Sequence, residues 1–229
     1  MSLAARLLNV FAIPGEVFAG VKAGHPSIAN WLVPAILSAV VATIAAVVVL
    51  SQPSIQQQLH DQQSALMAKQ VKAGTLNQSQ ADRMLALAEK ATVPVAAALT
   101  VFATFARVFW WALVLKLLSQ MFLRMRLEYL KLLEVAGLAT MISVLGTIVT
   151  LLLTVKLGAF GKPGFGLVIS DFENARKSTA VLGAASAFSI WLAWVMSVGL
   201  AKLANIPFLR AAWLVFAYWL LQETLFASL

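Results

Sequence analysis

The sequence contains no cysteine. No disulfide framework can form, and no thiolate site can hold a metal. Histidine is nearly absent as well: His25 and His60 are the only two, and neither has a partner at metal-ligand spacing. Charge is scarce. Charged residues make up 11% of the 229 positions, less than half of the ~25% usual in a soluble domain. A soluble domain of this length needs a polar surface, and there are too few polar residues here to make one. His, Asp and Glu do not cluster anywhere in the apolar stretches, so no enzyme active site and no cofactor are expected.

What the chain has instead is apolar sequence in long runs. Hydrophobic residues account for 61% of it. No charge interrupts the 20 residues from Trp31 to Leu50, the 21 from Val135 to Val155 or the 24 from Ser178 to Ala201. A hydrocarbon core about 30 Å thick needs ~20 helical residues, so each run is long enough to cross it. The expected fold is all-α: a polytopic membrane bundle of five transmembrane helices at about 30–50, 94–118, 131–155, 178–202 and 207–227. Residues 1–29 form an amphipathic interfacial segment, and residues 30–229 form the membrane domain.

In the first segment Leu3, Leu7, Val10 and Phe11 share a helical face, and Val17, Phe18 and Val21 continue after Pro14. Stripes of this kind lie in the headgroup plane. The stretch from Arg6 through Ile13 has the look of a short signal h-region. It ends in Pro14-Gly15-Glu16 without a small-x-small site, and is read as retained. Asn30 is positioned to cap span one, with Pro34 in its first turn. Ala35, Ala39, Ala42 and Ala46 make a small-residue stripe that lets another helix approach.

Residues 51–93 are the one long polar stretch, read as a helical hairpin outside the bilayer. Gly74-Thr75 breaks it, and Asn77 with Gln80 resembles a capping box for the second helix. This loop serves as a connector or as a docking surface. A glycine-rich connection over 156–177 follows span three, and Ser170 with Glu173 offers a second capping box. Within that connection Gly158-Ala-Phe-Gly-Lys162-Pro-Gly-Phe-Gly166 lacks the Ser or Thr a phosphate loop places after its Lys, and reads as a turn.

The net charge is +8. The basic residues fall between and beside the apolar runs, where they meet anionic headgroups and orient the spans. No basic face with interleaved aromatics marks a nucleic-acid binder. Excluding Arg107, eight Lys and Arg fall on each side of the expected topology. The tie breaks by loop length, because the rule acts through short loops. Arg124, Arg126 and Lys131 sit in one such loop, on the side of the amino terminus. That terminus is therefore expected in the cytoplasm and the carboxyl terminus outside.

Arg107 stands apart. It falls about 20 Å along span two at 1.5 Å per residue from Pro94. An Arg at that depth costs at least ~2.5 kcal/mol on insertion scales, so it must face protein or water. Thr100, Thr104 and Trp111 share its face, and Ser143 and Thr147 lie at similar depth on span three. Glu134 and Glu223 are the acidic candidates, each about 12–14 Å away along the membrane normal. Two readings follow: a polar site for an anionic lipid or substrate, or an Arg that holds the bundle together. Ala139, Ser143 and Thr147, and likewise Ser186, Ala193 and Ser197, form small-residue faces that read as packing seams.

The chain also resembles a known family. Asn9-Val-Phe, Pro14-Gly-Glu-Val-Phe18, Lys22 and Asn30-Trp-Leu-Val-Pro34 look like the opening of bacterial Yip (Rab/Ypt-interacting protein) proteins. Asn77-Gln-Ser-Gln80, Phe188-Ser-Ile-Trp191, Ser197-Val-Gly-Leu-Ala201, Trp213 and Trp219 extend the resemblance over nearly the whole chain. It implies five spans with a cytoplasmic amino terminus, in a bacterial inner membrane. The Asp-Leu-Tyr-Gly-Pro motif of the eukaryotic members is missing. Ala187 stands where many bacterial members carry an acid. Rab binding is therefore not carried over. The expected role is a scaffold or adaptor that binds partner proteins, binds a second copy of itself or organises membrane. Its contacts would be Phe11, Phe18, Lys22, Arg124 and Arg126. The alternative is a lipid or small-solute transporter, channel or scramblase built on Arg107, Thr100, Thr104 and Ser143.

Overall fold

The computed structural model describes residues 1–157 and 187–228. Among them are eight helices: α1 (Leu3–Ala12), α2 (Pro14–Ala23), α3 (Ala29–Leu50), α4 (Pro53–Lys72), α5 (Gln78–Met121), α6 (Tyr129–Leu157), α7 (Ala187–Ala204) and α8 (Phe208–Ser228). The glycine-rich connection after Leu157, the capping box at Ser170 and Glu173, the first residues of span four and Ser186 lie outside the described residues.

Local chemistry accounts for several helix ends. The Ser2 hydroxyl accepts from Ala5 N–H at the start of α1, and Pro14 opens α2 at a position where its missing N–H leaves no bond unmade. Gly74, at φ 71°, ends α4 in the left-handed region. The capping box opens α5 as expected, with Asn77 and Gln80 each bonding the other's backbone.

Two boundaries differ from the sequence reading. Asn30 does not cap α3: it lies inside the helix, buried, and its amide donates to Glu134. Its partner is 104 positions away, which no local rule could find. Pro34 consequently sits past the first turn. Pro94 does not begin a new helix either. The chain runs unbroken from Gln78 to Met121, 44 residues, with Pro94 inside. A proline removes one ladder bond; here the side chains change from polar to apolar while the backbone continues.

α6 is the centre of the bundle and touches α1, α2, α3, α5 and α7. Small residues permit this. A Cβ on Gly137 would lie 2.3 Å from Trp31 Cα, so α3 and α6 meet backbone to backbone. Gly199 of α7 likewise receives Val135 of α6. Ala35 and Ala39 of the α3 stripe and Ala139, Ala193 and Ser197 of the other seams are all buried.

The amino-terminal helices turn their apolar faces onto this bundle. Val10, Val17, Phe18 and Val21 belong to the same core as Leu132, Leu138 and Leu200. A polar knot secures them. Glu134, 1% exposed, accepts from Ser27 N–H at 3.2 Å and from the Asn30 amide. Lys131 pairs with Glu134 at 3.7 Å and donates to the carbonyls of Val21 and Gly24. The knot ties the link between α2 and α3 to the first turns of α6.

Four of the described helices are long and apolar enough to cross a membrane: α3, α5, α6 and α7. Large apolar side chains are exposed along α3, α5 and α8, Phe102 and Trp213 by 72% and 74%, more apolar surface than a soluble protein leaves bare. α5 is about 66 Å long at 1.5 Å per residue, roughly twice the ~30 Å hydrocarbon core, so it must project well beyond the bilayer. α4 packs along α5, with Ile55 buried. α8 has 21 residues and packs on α7. Its Tyr218 receives a hydrogen bond from Trp110 at 2.6 Å and meets the Trp111 ring edge-on.

Candidate functional site

The knot and the two short helices close one end of the bundle. Toward the other end lies a cavity of about 410 Å³, lined by α3, α5, α6, α7 and α8. Its polar wall comes from α6. Ser143, Thr147, Thr150 and Thr154 line it, spaced four, three and four apart, so they fall on one helical face. The Thr147 and Thr150 hydroxyls donate to the carbonyls of Ser143 and Gly146, four residues back. That satisfies their protons and leaves oxygen lone pairs free to accept.

Arg107 and Trp111 face the cavity from α5, and Trp219, Gln222 and Glu223 face it from α8. Among the described residues the one ion pair is Lys131–Glu134, so Arg107 and Glu223 share the cavity without touching. Two further groups are unsatisfied. Trp219 Nε1 and Gln222 Oε1 are buried with no hydrogen-bond partner. Such atoms in a low-dielectric setting each cost about 1–3 kcal/mol if left unmatched.

Of the residues expected around Arg107, Ser143 lines the cavity and Thr100 and Thr104 do not. Their hydroxyls donate to the carbonyls of Ala96 and Thr100, within α5 itself. Helical spacing alone put them on the Arg107 face. Glu134 is likewise committed elsewhere, to the knot. Thr150, Thr154, Trp219 and Gln222 were not anticipated. The four-three-four spacing that begins at Ser143 was the signal available for the two threonines.

The second expected set divides in a different way. Phe18 is fully buried, so its surface is used inside the bundle. Phe11 is half-buried, its ring 6.0 Å from that of Trp191 and steeply inclined to it. Lys22, Arg124 and Arg126 are exposed. Arg124 holds φ at 53°, in the left-handed region, where the chain turns from α5 toward α6.

A family comparison matches the chain. The Yip1 domain covers residues 8–229. The chain belongs to the Yip1 domain family. No curated protein and no solved structure matches it. Membership and the four apolar helices together make it an integral membrane protein. The match takes in the second half of α1 and all of α2 as well as the bundle, so that part of the amino-terminal segment falls within the Yip1 domain.

Proposed function

We propose that this Yip1-domain protein is a non-enzymatic scaffold or adaptor of a bacterial inner membrane. It crosses the membrane five times, α8 being the fifth span, with its amino-terminal end in the cytoplasm. The observation that carries the reading is a basic end held rigidly in place. Lys131 holds the carbonyls of Val21 and Gly24 against the start of α6. Lys22 is therefore fixed at the same end as the loop bearing Arg124 and Arg126, and all three are exposed. An exposed basic surface at a membrane edge attracts anionic headgroups, at about 1 kcal/mol per residue, and acidic protein surfaces. Rigid display of these charges, with little loose chain between them, suits a docking platform. The partner is an acidic protein or a second copy of the chain.

The charge-reversed variant Arg124→Glu/Arg126→Glu tests this. After crosslinking in the native membrane, its recovery of copurifying protein should fall severalfold relative to wild type at equal expression. Equal recovery would overturn the adaptor reading. Topology has its own check, made clean by the absence of native cysteine. Lys22→Cys should react with an impermeant thiol reagent only from the cytoplasmic face, and Gln63→Cys only from the outer face. A reporter fused after Leu229 should be external. A cytoplasmic reporter would remove α8 from the count of spans.

A further inference from the structure

The cavity beside Arg107 is a different feature from the basic end, and it has a charge pattern of its own. Among the described residues it holds one cationic side chain, Arg107, and one anionic side chain, Glu223, with no ion pair between them. Two unpartnered buried atoms accompany them, Trp219 Nε1 as a donor and Gln222 Oε1 as an acceptor. The site thus holds one charge of each sign, a spare donor and a spare acceptor. An anion alone would meet Arg107 but would also face Glu223. A cation alone would leave Arg107 unmatched in a low-dielectric site. A ligand carrying both charges satisfies both.

We propose that this cavity binds the headgroup of a zwitterionic phospholipid carrying a primary amine, of the phosphatidylethanolamine type. The phosphate meets Arg107, whose planar fork of N–H donors suits phosphate oxygens. The Trp219 indole N–H supplies a further donor to the same group. The ammonium meets Glu223 and the Gln222 oxygen, and the row of threonine oxygens on α6 offers further acceptors. The Trp111 and Trp219 rings wall the cavity and suit a cation and its methylenes. The volume of about 410 Å³ lies within the usual range for ligand cavities, about 300–1,000 Å³.

The way in favours a lipid over a soluble zwitterion. Arg107 lines the cavity and is also exposed, on a side of α5 where Ala103 and Trp110, its neighbours at helical spacing, are exposed too. The cavity therefore reaches the lipid-facing side of α5, where a headgroup can enter while its acyl chains stay in the bilayer. This site does not depend on the adaptor reading, and either can fail alone.

The test is native mass spectrometry of the full chain, delipidated and then offered phosphatidylethanolamine, phosphatidylcholine or phosphatidylglycerol at matched concentrations. Wild type should retain one phosphatidylethanolamine in preference to the other two. Phosphatidylcholine lacks the N–H groups that Glu223 and Gln222 would accept, and phosphatidylglycerol lacks the cation. Arg107→Gln should lower retention about tenfold, the scale of one charge-assisted hydrogen bond. Glu223→Gln should turn the preference toward phosphatidylglycerol, a reversal that a merely structural glutamate would not produce, and it serves if Arg107→Gln fails to fold. Equal retention of all three lipids by wild type, or unchanged selectivity in Glu223→Gln, would overturn the proposal. Competition by soluble glycerophosphoethanolamine at the same concentration as the lipid would overturn the lipid as the source, leaving the free zwitterion.

Discussion

Glu134→Ala is expected to destabilise the protein by about 3–5 kcal/mol, the cost of breaking a buried pair by removing one partner. Glu134 is 1% exposed. It accepts from Ser27 N–H and the Asn30 amide and pairs with Lys131. Its loss strands two donors and leaves an ammonium without its counter-charge. Lys131 keeps the carbonyls of Val21 and Gly24, so the link should loosen rather than detach. The loss should appear as a lower thermal midpoint in detergent, read by size-exclusion chromatography, and as faster proteolysis within residues 24–28. Glu134→Gln keeps an acceptor oxygen and should lose less. Combining it with Lys131→Met removes both charges and should recover part of either single loss, which a double-mutant cycle would measure. A Glu134→Ala protein within about 0.5 kcal/mol of wild type, the range of an ordinary surface substitution, would show that the knot carries no weight.

Gly137→Ala should be nearly as damaging, for a purely steric reason. The added Cβ would lie 2.3 Å from Trp31 Cα, 2.5 Å from Trp31 Cβ and 3.1 Å from the Trp31 carbonyl oxygen. No rotamer relieves a clash with backbone, so α3 must move away from α6 along their contact. Overpacking typically costs about 1–3 kcal/mol, and a forced backbone shift belongs at or above the top of that range. Two other glycines calibrate the result. At Gly199 the nearest atoms are those of the Val135 side chain, which can yield in part, so Gly199→Ala should be milder. At Gly20 nothing lies within 4 Å, and Gly20→Ala in α2 should be neutral or stabilising by about 0.5–1 kcal/mol. The order Gly137, Gly199, Gly20 in thermal midpoint loss is the discriminating result. A tolerated Gly137→Ala would mean that α3 and α6 do not approach as closely as described.

The two ends of the molecule bear on each other through α6. Its first turns hold the knot and the tight contacts with α3 and α7, and its last turns present the hydroxyl row to the cavity. Loosening the knot tests the closed end while leaving the lining of the cavity in place. Glu134→Ala can therefore be compared with Glu223→Gln to separate the anchoring of the basic end from the chemistry of the lipid site.

Much of the architecture was legible along the chain because it depends on local or averaged properties. Apolar runs long enough for a bilayer, the scarcity of charge and the capping box at Asn77 and Gln80 need no knowledge of what lies across the bundle. The sequence by itself determined that this is a membrane helical protein and that Gly74 ends a polar helix. It also carried the family resemblance, in short motifs such as Pro14-Gly-Glu-Val-Phe18 and Asn30-Trp-Leu-Val-Pro34. Where the sequence reading went wrong, at Asn30 and Pro94, a local signal had been read without its surroundings. Only the tertiary structure decided that Asn30 serves a glutamate 104 positions away, that Phe18 is spent in the core, and that Glu223 and Arg107 share one cavity. Helical spacing says which residues share a face, but it does not say what that face meets. Partners that are remote in sequence come together only when helices pack, and burial then decides whether a polar atom must find one.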